Sequence, residues 1–428
     1  MAGKEPAVKK LIGHLDSDCF YVSAERVRFR ALRGIPVGVL GNQGACVIAK
    51  SYELKAAGVK TGVPIWDARR ICPEAVFVKR DFRWYEVLSR KMLDLLHEVS
   101  PTVEYYSIDE MFFDASQLPR VFGTSMEAAT QQLQQRMLEE VGVPVSIGIA
   151  ETRTLAKLGS DSSKPFGVHV LHDLTEREHR EFLRSTPVEE LCGIGRRSAQ
   201  KLADHKIYNC LEFIRADSTF IRKLLTIKGE GLWWELQGEP VQKIVTQRPP
   251  HKAISRGGSV GGKTADPVEQ QAWIVRNVER LIEAIDYHGV FTRHLVLTLE
   301  RVNDHGWAGQ VVLAEPTNSF KMLAAVYREL LERSDSRRKA ISHMHLIAQK
   351  LSYRDEIQRT LFETAWVASN GDRLTDHPLD KVADLKQQIN QKIGRFAIRS
   401  GETLHLPEIY ADETNDYDIC DVQGKMCF

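Results

Sequence analysis

Two stretches of the sequence decide its fold, LIGHLDSDCFY at residues 11–21 and TVEYYSIDEMFFD at residues 102–114. The apolar run in the first predicts a strand, Leu11–Asp16, that ends at a carboxylate. The second predicts two short strands with Asp109 and Glu110 in the turn between them. Adjacent side chains point to opposite faces within a strand, but at a turn both can approach one cation. The two stretches therefore predict carboxylates grouped at strand ends.

The surrounding pattern mixes helices and strands. Apolar periodicity predicts helices at Ser51–Ala57, Arg83–Val99 and Glu127–Val141, and strands at Cys46–Ala49 and Val143–Ala150. The order strand, helices, hairpin, helix, strand is typical of an α+β fold with an antiparallel sheet, and less so of a doubly wound sheet.

The second half of the sequence divides into two regions and a tail. Leu174–Gly238 is predicted to be helical, with a glycine-rich turn at Leu191–Gly195. Gln247–His251 contains two prolines and marks a linker. Beyond the linker, alternating apolar residues predict a small βαββαβ domain, and the tail carries one more predicted helix, Leu379–Ile393.

Composition and charge limit the class of protein. No apolar stretch approaches the roughly 20 residues of a membrane helix, and the first residues lack the apolar run of a signal peptide. Seven cysteines without a C-x-x-C pair indicate reduced thiols in a cytoplasmic protein and argue against a zinc site. The segment from Tyr353 to the end contains 9 Lys and Arg residues and 14 Asp and Glu residues, whereas residues 1–352 contain 49 basic and 43 acidic residues. A mildly basic body with an acidic tail is compatible with DNA binding without establishing it.

The grouped carboxylates favour a magnesium site. Mg²⁺ prefers oxygen ligands, and two such ions about 4 Å apart can stabilise the attacking and leaving oxygens in phosphoryl or nucleotidyl transfer. Carboxylates in D-x-D and D-E pairs are also common in ordinary turns. Neither motif alone separates a metal site from a pair of turn carboxylates.

Five ordered motifs carry a family resemblance. They are DCFYVSAE at Asp18–Glu25, VIAKSYE at Val47–Glu53, GVKTGVP at Gly58–Pro64, YSIDE at Tyr106–Glu110, and GIA, LAK and SKP within Gly148–Pro165. Together they closely resemble the Y-family of translesion DNA polymerases, the group of the bacterial lesion-bypass polymerases IV and V. The resemblance runs from about Lys10 to about Leu351.

The resemblance implies a right-hand polymerase that copies DNA past damaged bases, with errors and low processivity. Its parts would be an antiparallel-sheet palm, small fingers, a helical thumb with a helix–hairpin–helix, and a βαββαβ little finger. The implied bounds are 1–18 and 79–171 for the palm, 19–78 for the fingers, 172–240 for the thumb, 241–250 for a linker, 251–352 for the little finger and 353–428 for the acidic tail.

The resemblance also assigns the metal ligands. Asp16, Asp109 and Glu110 would bind two magnesium ions, with help from the backbone carbonyl of Ser17. Asp16 and Asp109 would bridge the ions, and Glu110 would serve the ion that activates the primer 3′-hydroxyl. Asp18 has the same chemistry, but we interpret it as a turn carboxylate.

Further positions match the family's nucleotide contacts. Tyr21 corresponds to a steric gate that excludes a 2′-hydroxyl, although it is also interpretable as a core aromatic residue beside Phe20. The turn residues Ser17, Cys19 and Phe20 would adjoin the incoming nucleotide. Triphosphate contacts fall on Tyr52, Lys55 and Lys164.

Three nearby positions weaken or leave open the nucleotide assignment. Lys55 stands where many relatives have Arg, so a bidentate grip is lost. Ala49 replaces a frequent hydroxyl residue. Lys157 is open between a substrate contact and a surface lysine.

DNA contacts are implied in the thumb and the little finger. The turn at Leu191–Gly195 resembles a helix–hairpin–helix, in which Gly193 and Gly195 would let the backbone approach a phosphate, and Arg196 and Arg197 would add charge. Ser255 and Arg256 would track a DNA backbone from the first strand of the little finger. The run Arg337–Lys339 is interpreted as a solvated loop.

The tail contains a candidate peptide for a bacterial sliding clamp. Gln358, Leu361 and Phe362 match the pattern of Gln, two variable residues and Leu-Phe, which can place Gln on a polar rim and the apolar pair in a cleft. Gln423–Phe428 is a looser second candidate.

Two other functions use some of the same residues. A two-metal nuclease needs the carboxylates but has no use for Tyr21 or the triphosphate set. A non-catalytic DNA-binding scaffold of a damage-response complex would not need the three carboxylates that this chain retains.

Overall fold

The computed structural model describes residues 10–41, 46–247, 249–335, 339–353, 356, 365–367, 373–375, 381–394, 396–406, 421–422 and 425–426. The chain forms two units, one of Met1–Arg248 with Tyr417–Phe428 and one of Pro249–Asp416. None of the described helices is long and apolar enough to cross a membrane.

A five-stranded sheet organises the first unit. Its strand order is β5-β6-β1-β7-β8, with antiparallel neighbours except for the parallel pair β7 and β8. The strands are β1 (Ile12–Ser17), β5 (Val103–Tyr105), β6 (Glu110–Asp114), β7 (Val145–Ala150) and β8 (Val168–Val170). Every residue of β1 is buried, as expected for a central strand covered on both faces. The predicted antiparallel sheet is thus confirmed, with one parallel strand at its edge.

Helices cover both faces of this sheet. They are α1 (Phe20–Arg28), α4 (Phe82–Val99), α5 (Leu118–Phe122), α6 (Met126–Arg136) and α7 (Arg153–Ser162), and a π-helical turn, Met137–Val141, continues α6. The side chain of Asp81 accepts from Trp84 N at the start of α4, and that of Thr152 accepts from Leu155 N at the start of α7. These caps satisfy backbone groups that each first turn leaves unpaired.

The turn after β1 is strained. Cys19 adopts a left-handed conformation (φ 47°, ψ 48°), which is uncommon for a residue with a Cβ. Ser23 Oγ donates to Asp18 O at 2.5 Å and so stabilises the turn. Strained backbone of this kind is frequent at functional sites.

A second, three-stranded sheet of order β3-β2-β4 lies between β1 and α4 in the sequence. Its strands are β2 (Val37–Leu40), β3 (Val47–Lys50) and β4 (Val76–Lys79), and its helices are α2 (Tyr52–Ala56) and α3 (Ile65–Ile71). A separate small core that includes Val47, Leu54 and Val59 stabilises it.

The end of the first unit is helical. Its helices are α8 (Glu176–Ser185), α9 (Arg196–Ala203), α10 (Cys210–Arg215) and α11 (Ser218–Leu236), the last interrupted at Thr226. After α11 the chain is held to the sheet. Glu104 of β5 accepts from Val245 N at 2.7 Å, and the buried Glu235 accepts from Val241 N and Gln242 N at 3.1 and 2.7 Å.

The second unit has the predicted βαββαβ order. Its elements are β9 (Ala253–Thr264), α12 (Pro267–Tyr287), β10 (Val290–Arg301), β11 (Trp307–Thr317), α13 (Phe320–Arg333) and β12 (Ile341–Tyr353). The strands form an antiparallel sheet in the order β11-β10-β12-β9. The short strands β13 (Ala365–Val367) and β14 (Arg373–Thr375) pair with each other.

Part of the acidic tail belongs to this unit. Helix α14 (Lys381–Ile393) and a 3₁₀ turn, Gly401–His405, follow the sheet. The buried carboxylate of Glu279 in α12 accepts from Lys386 Nζ at 2.5 Å and from Ser400 N at 2.8 Å. Thr403 and Leu406 are buried as well. Near the C-terminus, the described residues also include the paired strands β15 (Asp421–Val422) and β16 (Lys425–Met426).

Candidate active site

The three predicted metal ligands lie where two neighbouring inner strands of the five-stranded sheet meet, at the end of β1 and the start of β6. Asp16 in β1 pairs in register with Glu110, the first residue of β6. Asp109 immediately precedes β6, and its carbonyl oxygen accepts from Ser17 N at 2.9 Å. The antiparallel pairing of β1 with the hairpin strand therefore brings together carboxylates that are almost a hundred residues apart in the sequence.

Burial makes these carboxylates unusually sensitive to neighbouring charge. Asp16 is only 6% exposed, and burial, with the negative charges of Glu110 and Asp109, raises its pKa to about 8 although Lys164 opposes the change. Burial also raises the pKa of Asp109, whose Oδ1 accepts from Ser107 Oγ at 2.6 Å. Their anionic forms are thus poorly solvated, and a cation stabilises such groups.

Two lysines supply positive charge to the cluster. Lys164 Nζ lies 2.8 Å from Asp16 Oδ2, and Lys157 Nζ contacts Glu110 Oε1. Asp161 is shared by Lys157 and Lys164, at 3.5 and 3.0 Å. Although burial acts in the opposite direction, the ammonium of Lys157 holds the pKa of Glu110 below its ordinary value. Lys157, which the sequence left open, lies inside the cluster.

The donor set fits divalent cations in chemistry. Asp16, Asp109 and Glu110 offer only hard oxygen atoms, and each is partly or fully withdrawn from water. Among the described residues, no group of three or more His, Cys, Asp or Glu side chains is arranged so that it could hold a metal ion. Instead, lysine nitrogens neutralise Asp16 and Glu110.

Asp18 differs from Asp16 although the two are only two residues apart. It accepts from Phe166 N at 2.7 Å, from Tyr52 Oη at 3.1 Å and from Ser146 Oγ at 3.1 Å. Three donors occupy its two oxygens, and the residue is 2% exposed. This arrangement agrees with the interpretation of Asp18 as a turn carboxylate.

Tyr21 lies in a cluster of aromatic rings. Its ring is stacked on Tyr85, with centroids 4.8 Å apart, and meets Phe82 edge-on at 5.4 Å. The buried Tyr85 donates to Glu25 Oε1 at 2.7 Å, which fixes the ring under Tyr21. Tyr21 itself is half-buried. The structure thus packs this ring against two aromatic neighbours while leaving part of it accessible.

The remaining nucleotide candidates differ in accessibility. Lys55 is exposed at the end of α2, whereas the Tyr52 hydroxyl donates a hydrogen bond to Asp18.

The turn residues offer mainly their backbone to a ligand. The side chains of Ser17 and Phe20 are buried, and Ser17 Oγ donates to Met92 Sδ at 3.2 Å. Ser17 and Phe20 can therefore meet a ligand through their backbone only. Cys19 lies between them at the strained turn and is half-buried.

The residues predicted to contact DNA also differ in exposure. Gly193 has a positive φ of 103°, and Arg196 and Arg197 are exposed at the first turn of α9, which follows Gly195. In β9, Ser255 is exposed but Arg256 is only 8% exposed. Successive residues of a strand face opposite sides, so these two cannot track the same backbone together.

Two predicted surface elements fall partly or wholly outside the described residues. Of the run Arg337–Lys339, only Lys339 is described, and it pairs with Asp304 at 2.7 Å. The clamp candidate Gln358, Leu361 and Phe362 lies outside the described residues, and so do most residues of Gln423–Phe428.

Sequence reasoning missed His14, Ser146 and Asp161. Two signals were available. His14 precedes Asp16 by two residues and so shares its face of the strand. Asp161 follows Lys157 by four residues, the spacing of neighbours on a helix. Ser146 carries no such signal, because its role depends on the register of β7 beside β1.

Comparisons with known proteins cover most of the chain. The model of the impB/mucB/samB family matches residues 15–161, that of its C-terminal domain residues 251–361, and that of the IMS family HHH motif residues 176–207. DNA polymerase IV of Bacillus velezensis is 28% identical over 419 residues, which are 95% of this chain and 95% of that protein. DNA polymerase IV 2 of Mesorhizobium japonicum is 30% identical over 352 residues, 81% of this chain and 83% of that protein.

A solved structure is similar in fold. A Y-family DNA polymerase chimera superposes with a TM-score of 0.66 at 22% identity, covering 80% of this chain and all of the chimera. The motifs, the fold and the full-length relatives agree with one another. The chain therefore belongs to the impB/mucB/samB family, the Y-family of translesion DNA polymerases.

Proposed function

We propose that this protein extends a DNA primer on a damaged template by two-magnesium nucleotidyl transfer at the cluster of Asp16, Asp109 and Glu110. One observation carries the proposal. Three poorly solvated carboxylates from adjacent strand ends adjoin two lysines, in a chain that aligns over 95% of its length with a protein named DNA polymerase IV. The alternative of a non-catalytic scaffold is not favoured, because all three carboxylates are present.

The site residues would have two roles, metal binding and triphosphate binding. Asp16, Asp109 and Glu110 would hold two magnesium ions, with the Ser17 carbonyl as a further ligand. When bound, the ions supply positive charge to the attacking and leaving oxygens. Lys164, Lys55 and Tyr52 would orient the triphosphate and neutralise the charge that develops on it.

The aromatic cluster supports a role for Tyr21 in sugar selection. Tyr85 stacks on its ring and Phe82 packs against it edge-on, and these contacts would limit its movement. A rigid ring beneath the incoming sugar would exclude a 2′-hydroxyl by contact, whereas a mobile ring would yield to it.

The domain bounds and DNA contacts are part of the proposal. Residues 1–18 and 79–171 would act as the palm, 19–78 as fingers, 172–240 as thumb and 251–352 as little finger. Arg196, Arg197 and the exposed Ser255 would contact DNA. Arg256 is buried on the opposite face of β9, so we expect no DNA contact from it. With DNA as its substrate, the protein would act in the cytoplasm, at the nucleoid.

Primer extension on intact and lesion-bearing templates tests the function directly. The purified full chain should add deoxynucleotides opposite the templating base with Mg²⁺ and continue past the lesion. Cleavage of the labelled DNA without extension would instead support the two-metal nuclease. Binding with neither reaction would support the scaffold.

We also propose a sliding clamp as a partner, bound through Gln358, Leu361 and Phe362. The support is the sequence pattern and its place after the little finger. Tethering to a clamp would raise the effective concentration at the primer end, and the apparent affinity would rise by about 10²–10⁴-fold without a new catalytic contact. Replacing the three residues by Ala should leave clamp-free synthesis unchanged and abolish stimulation by a loaded bacterial clamp. Loss of stimulation on deletion of Gln423–Phe428 instead would assign the contact to the second peptide.

A further inference from the structure

His14 lies beside the carboxylate cluster, and the chemistry proposed above does not use it. Its side chain is fully buried. Across the sheet its neighbours are Phe112 in β6 and Gly148 in β7. The centroids of the Phe112 and His14 rings are 4.5 Å apart. A polar ring is thus enclosed in the sheet, on the same face of β1 as Asp16.

Gly148 allows helix α7 to reach this histidine. A Cβ at Gly148 would stand 2.0 Å from the Ala156 carbonyl oxygen and 2.4 Å from Ser160 N, so a larger residue would displace the helix. With α7 this close, Ser160 Oγ lies 2.6 Å from His14 Nδ1. One nitrogen of the imidazole is therefore fixed by the helix that also carries Lys157.

The other ring nitrogen faces the cluster. His14 Nε2 is buried and has no hydrogen-bond partner among the residues that the structure describes. Glu110 Oε1 lies 3.8 Å from it, and Lys157 approaches the same oxygen. His14 Nε2 and Lys157 Nζ thus both approach Oε1 of Glu110, a proposed metal ligand.

Hydrogen-bonding capacity decides where the imidazole hydrogen sits. A neutral imidazole has one N–H, and a carboxylate only accepts. If Ser160 donates to Nδ1, the hydrogen is on Nε2 and points at Glu110. If Ser160 instead donates to Lys157 O, 2.8 Å away, the Nε2 lone pair faces the carboxylate. Only the first arrangement gives both ring nitrogens a favourable neighbour.

We propose that His14 is a positioning residue for Glu110, its Nε2–H donating toward Oε1 and holding that carboxylate in place for a divalent cation. The inference rests on the proposed role of Glu110. A separation of 3.8 Å is longer than a hydrogen bond, but catalytic hydrogen bonds are often long without ligands and tighten in the complex. Loss of such a supporting contact typically costs about 10–100-fold in metal affinity.

The first test is the tautomer of His14 in the full chain without metal. Long-range ¹H–¹⁵N spectra of ¹⁵N-histidine-labelled protein distinguish the two ring nitrogens, and loss of one signal set in His14→Gln assigns it. The expected result is a hydrogen on Nε2. A hydrogen on Nδ1 would overturn the inference, and this measurement needs no variant to be active.

The second test is cation binding. Free Mn²⁺ is measured by electron paramagnetic resonance in complexes of the full chain with dideoxy-terminated primer–template and a deoxynucleoside triphosphate. His14→Phe keeps the ring but removes the donor and should weaken Mn²⁺ binding about 10–100-fold. His14→Gln, whose amide can still donate, should recover most of the loss. Unchanged Mn²⁺ affinity in His14→Phe would overturn the inference.

His169 offers a matched control. Its Nδ1 lies 3.0 Å from Ser162 Oγ, and its ring meets Phe182 edge-on at 5.2 Å. His169→Phe should therefore leave Mn²⁺ affinity unchanged, and a loss equal to that of His14→Phe would overturn the specific role of His14.

Glu110→Gln in the same assay distinguishes a failure of the proposed role of His14 from a failure of the metal assignment of Glu110. If Glu110→Gln weakens binding and His14→Phe does not, only the role of His14 fails. If neither change weakens binding, the metal assignment of Glu110 fails as well.

Discussion

The two units contain chemically similar ion pairs in different surroundings. In the first unit, Arg153 and Glu104 form two hydrogen bonds of 2.5 and 3.0 Å, with side chains 9% and 11% exposed. In the second unit, Arg328 Nη2 lies 2.6 and 2.7 Å from the two carboxylate oxygens of Glu402, with side chains 35% and 53% exposed. A buried ion is costly to leave unpaired, whereas an exposed pair is worth little. Burial rather than distance therefore decides what each pair contributes.

The same contrast separates the candidate active site from the DNA-facing candidates. Charge at the active site is concentrated and shielded from water, with Asp16 buried and Glu110 partly buried. Charged residues at the first strand of the second unit are sparse and exposed, as at Lys252, which precedes β9, and Lys263, which lies in it. We expect single changes to have large effects in the first region and small effects in the second.

Removing a proposed metal ligand should have the largest effect. Asp109→Ala or Glu110→Ala should abolish nucleotide addition while primer–template binding remains measurable. The reason is that the site would lose the metal ions, whose positive charge stabilises the negatively charged transition state. Single-nucleotide incorporation measures this. Asp114→Asn is the control, since Asp114 lies at the other end of β6 and pairs with Lys10 at 3.3 Å. Turnover within about tenfold of the parent, or roughly 1.4 kcal/mol, in either alanine variant would remove the metal assignment.

Breaking each ion pair tests whether burial decides how much the pair contributes to stability. Glu104→Gln should lower the free energy of unfolding by about 3–5 kcal/mol, because Arg153 would remain buried without its counterion. Glu402→Gln should lower it by about 0–1 kcal/mol. Urea denaturation of the two variants measures the difference. Similar losses would show that burial does not separate the two pairs.

Changing the proposed gate should affect selectivity more than rate. Tyr21→Ala should raise ribonucleotide use relative to deoxyribonucleotide use by about 10–100-fold, because only the 2′-hydroxyl would meet the ring. The measurement is the ratio of kcat/KM values for the two sugars. An unchanged ratio would make Tyr21 a packing residue of the aromatic cluster.

The smallest effects are expected on the second unit. Lys252→Ala and Lys263→Ala should each weaken DNA binding a few-fold and reduce its salt slope by about one, if each contacts a phosphate. Fluorescence anisotropy at several salt concentrations measures the slope. Lys339→Ala is the control, because Asp304 already pairs with that lysine. Equal slopes in all three variants would exclude Lys252 and Lys263 from the DNA interface.

Sequence periodicity predicted much of this architecture because its signals are local. The buried strand before Asp16, the Asp109 hairpin and the βαββαβ order all follow from alternation and turn residues. Strands β4 and β8 were missed because they are four and three residues long and pair in parallel with strands that precede them by 39 and 21 residues, as in Val37↔Val76 and Ile147↔Val168. The burial of Arg256 could have been foreseen, since alternation places it on the face of the buried Ile254.

The composition of the site was less accessible to sequence reasoning. The positions of Lys157 and Ser160 depend on how closely α7 approaches the sheet, which Gly148 permits. That approach is a tertiary property without a local pattern. The resemblance supplied the carboxylates, and it supplied Lys164 as a triphosphate contact. It did not supply the ion pairs that Lys164 and Lys157 form with Asp16 and Glu110.

The docking of the tail on Glu279 has a consequence for cleaved forms of the protein. Lys386, Ser400 and Glu402 are held to α12 and α13 by contacts that do not depend on chain continuity. A chain cut once between Tyr353 and Lys381 should therefore remain a two-piece complex under native conditions and separate only in denaturant. Supplying residues 381–428 as a separate polypeptide should likewise restore the cover over Glu279 in a shortened chain.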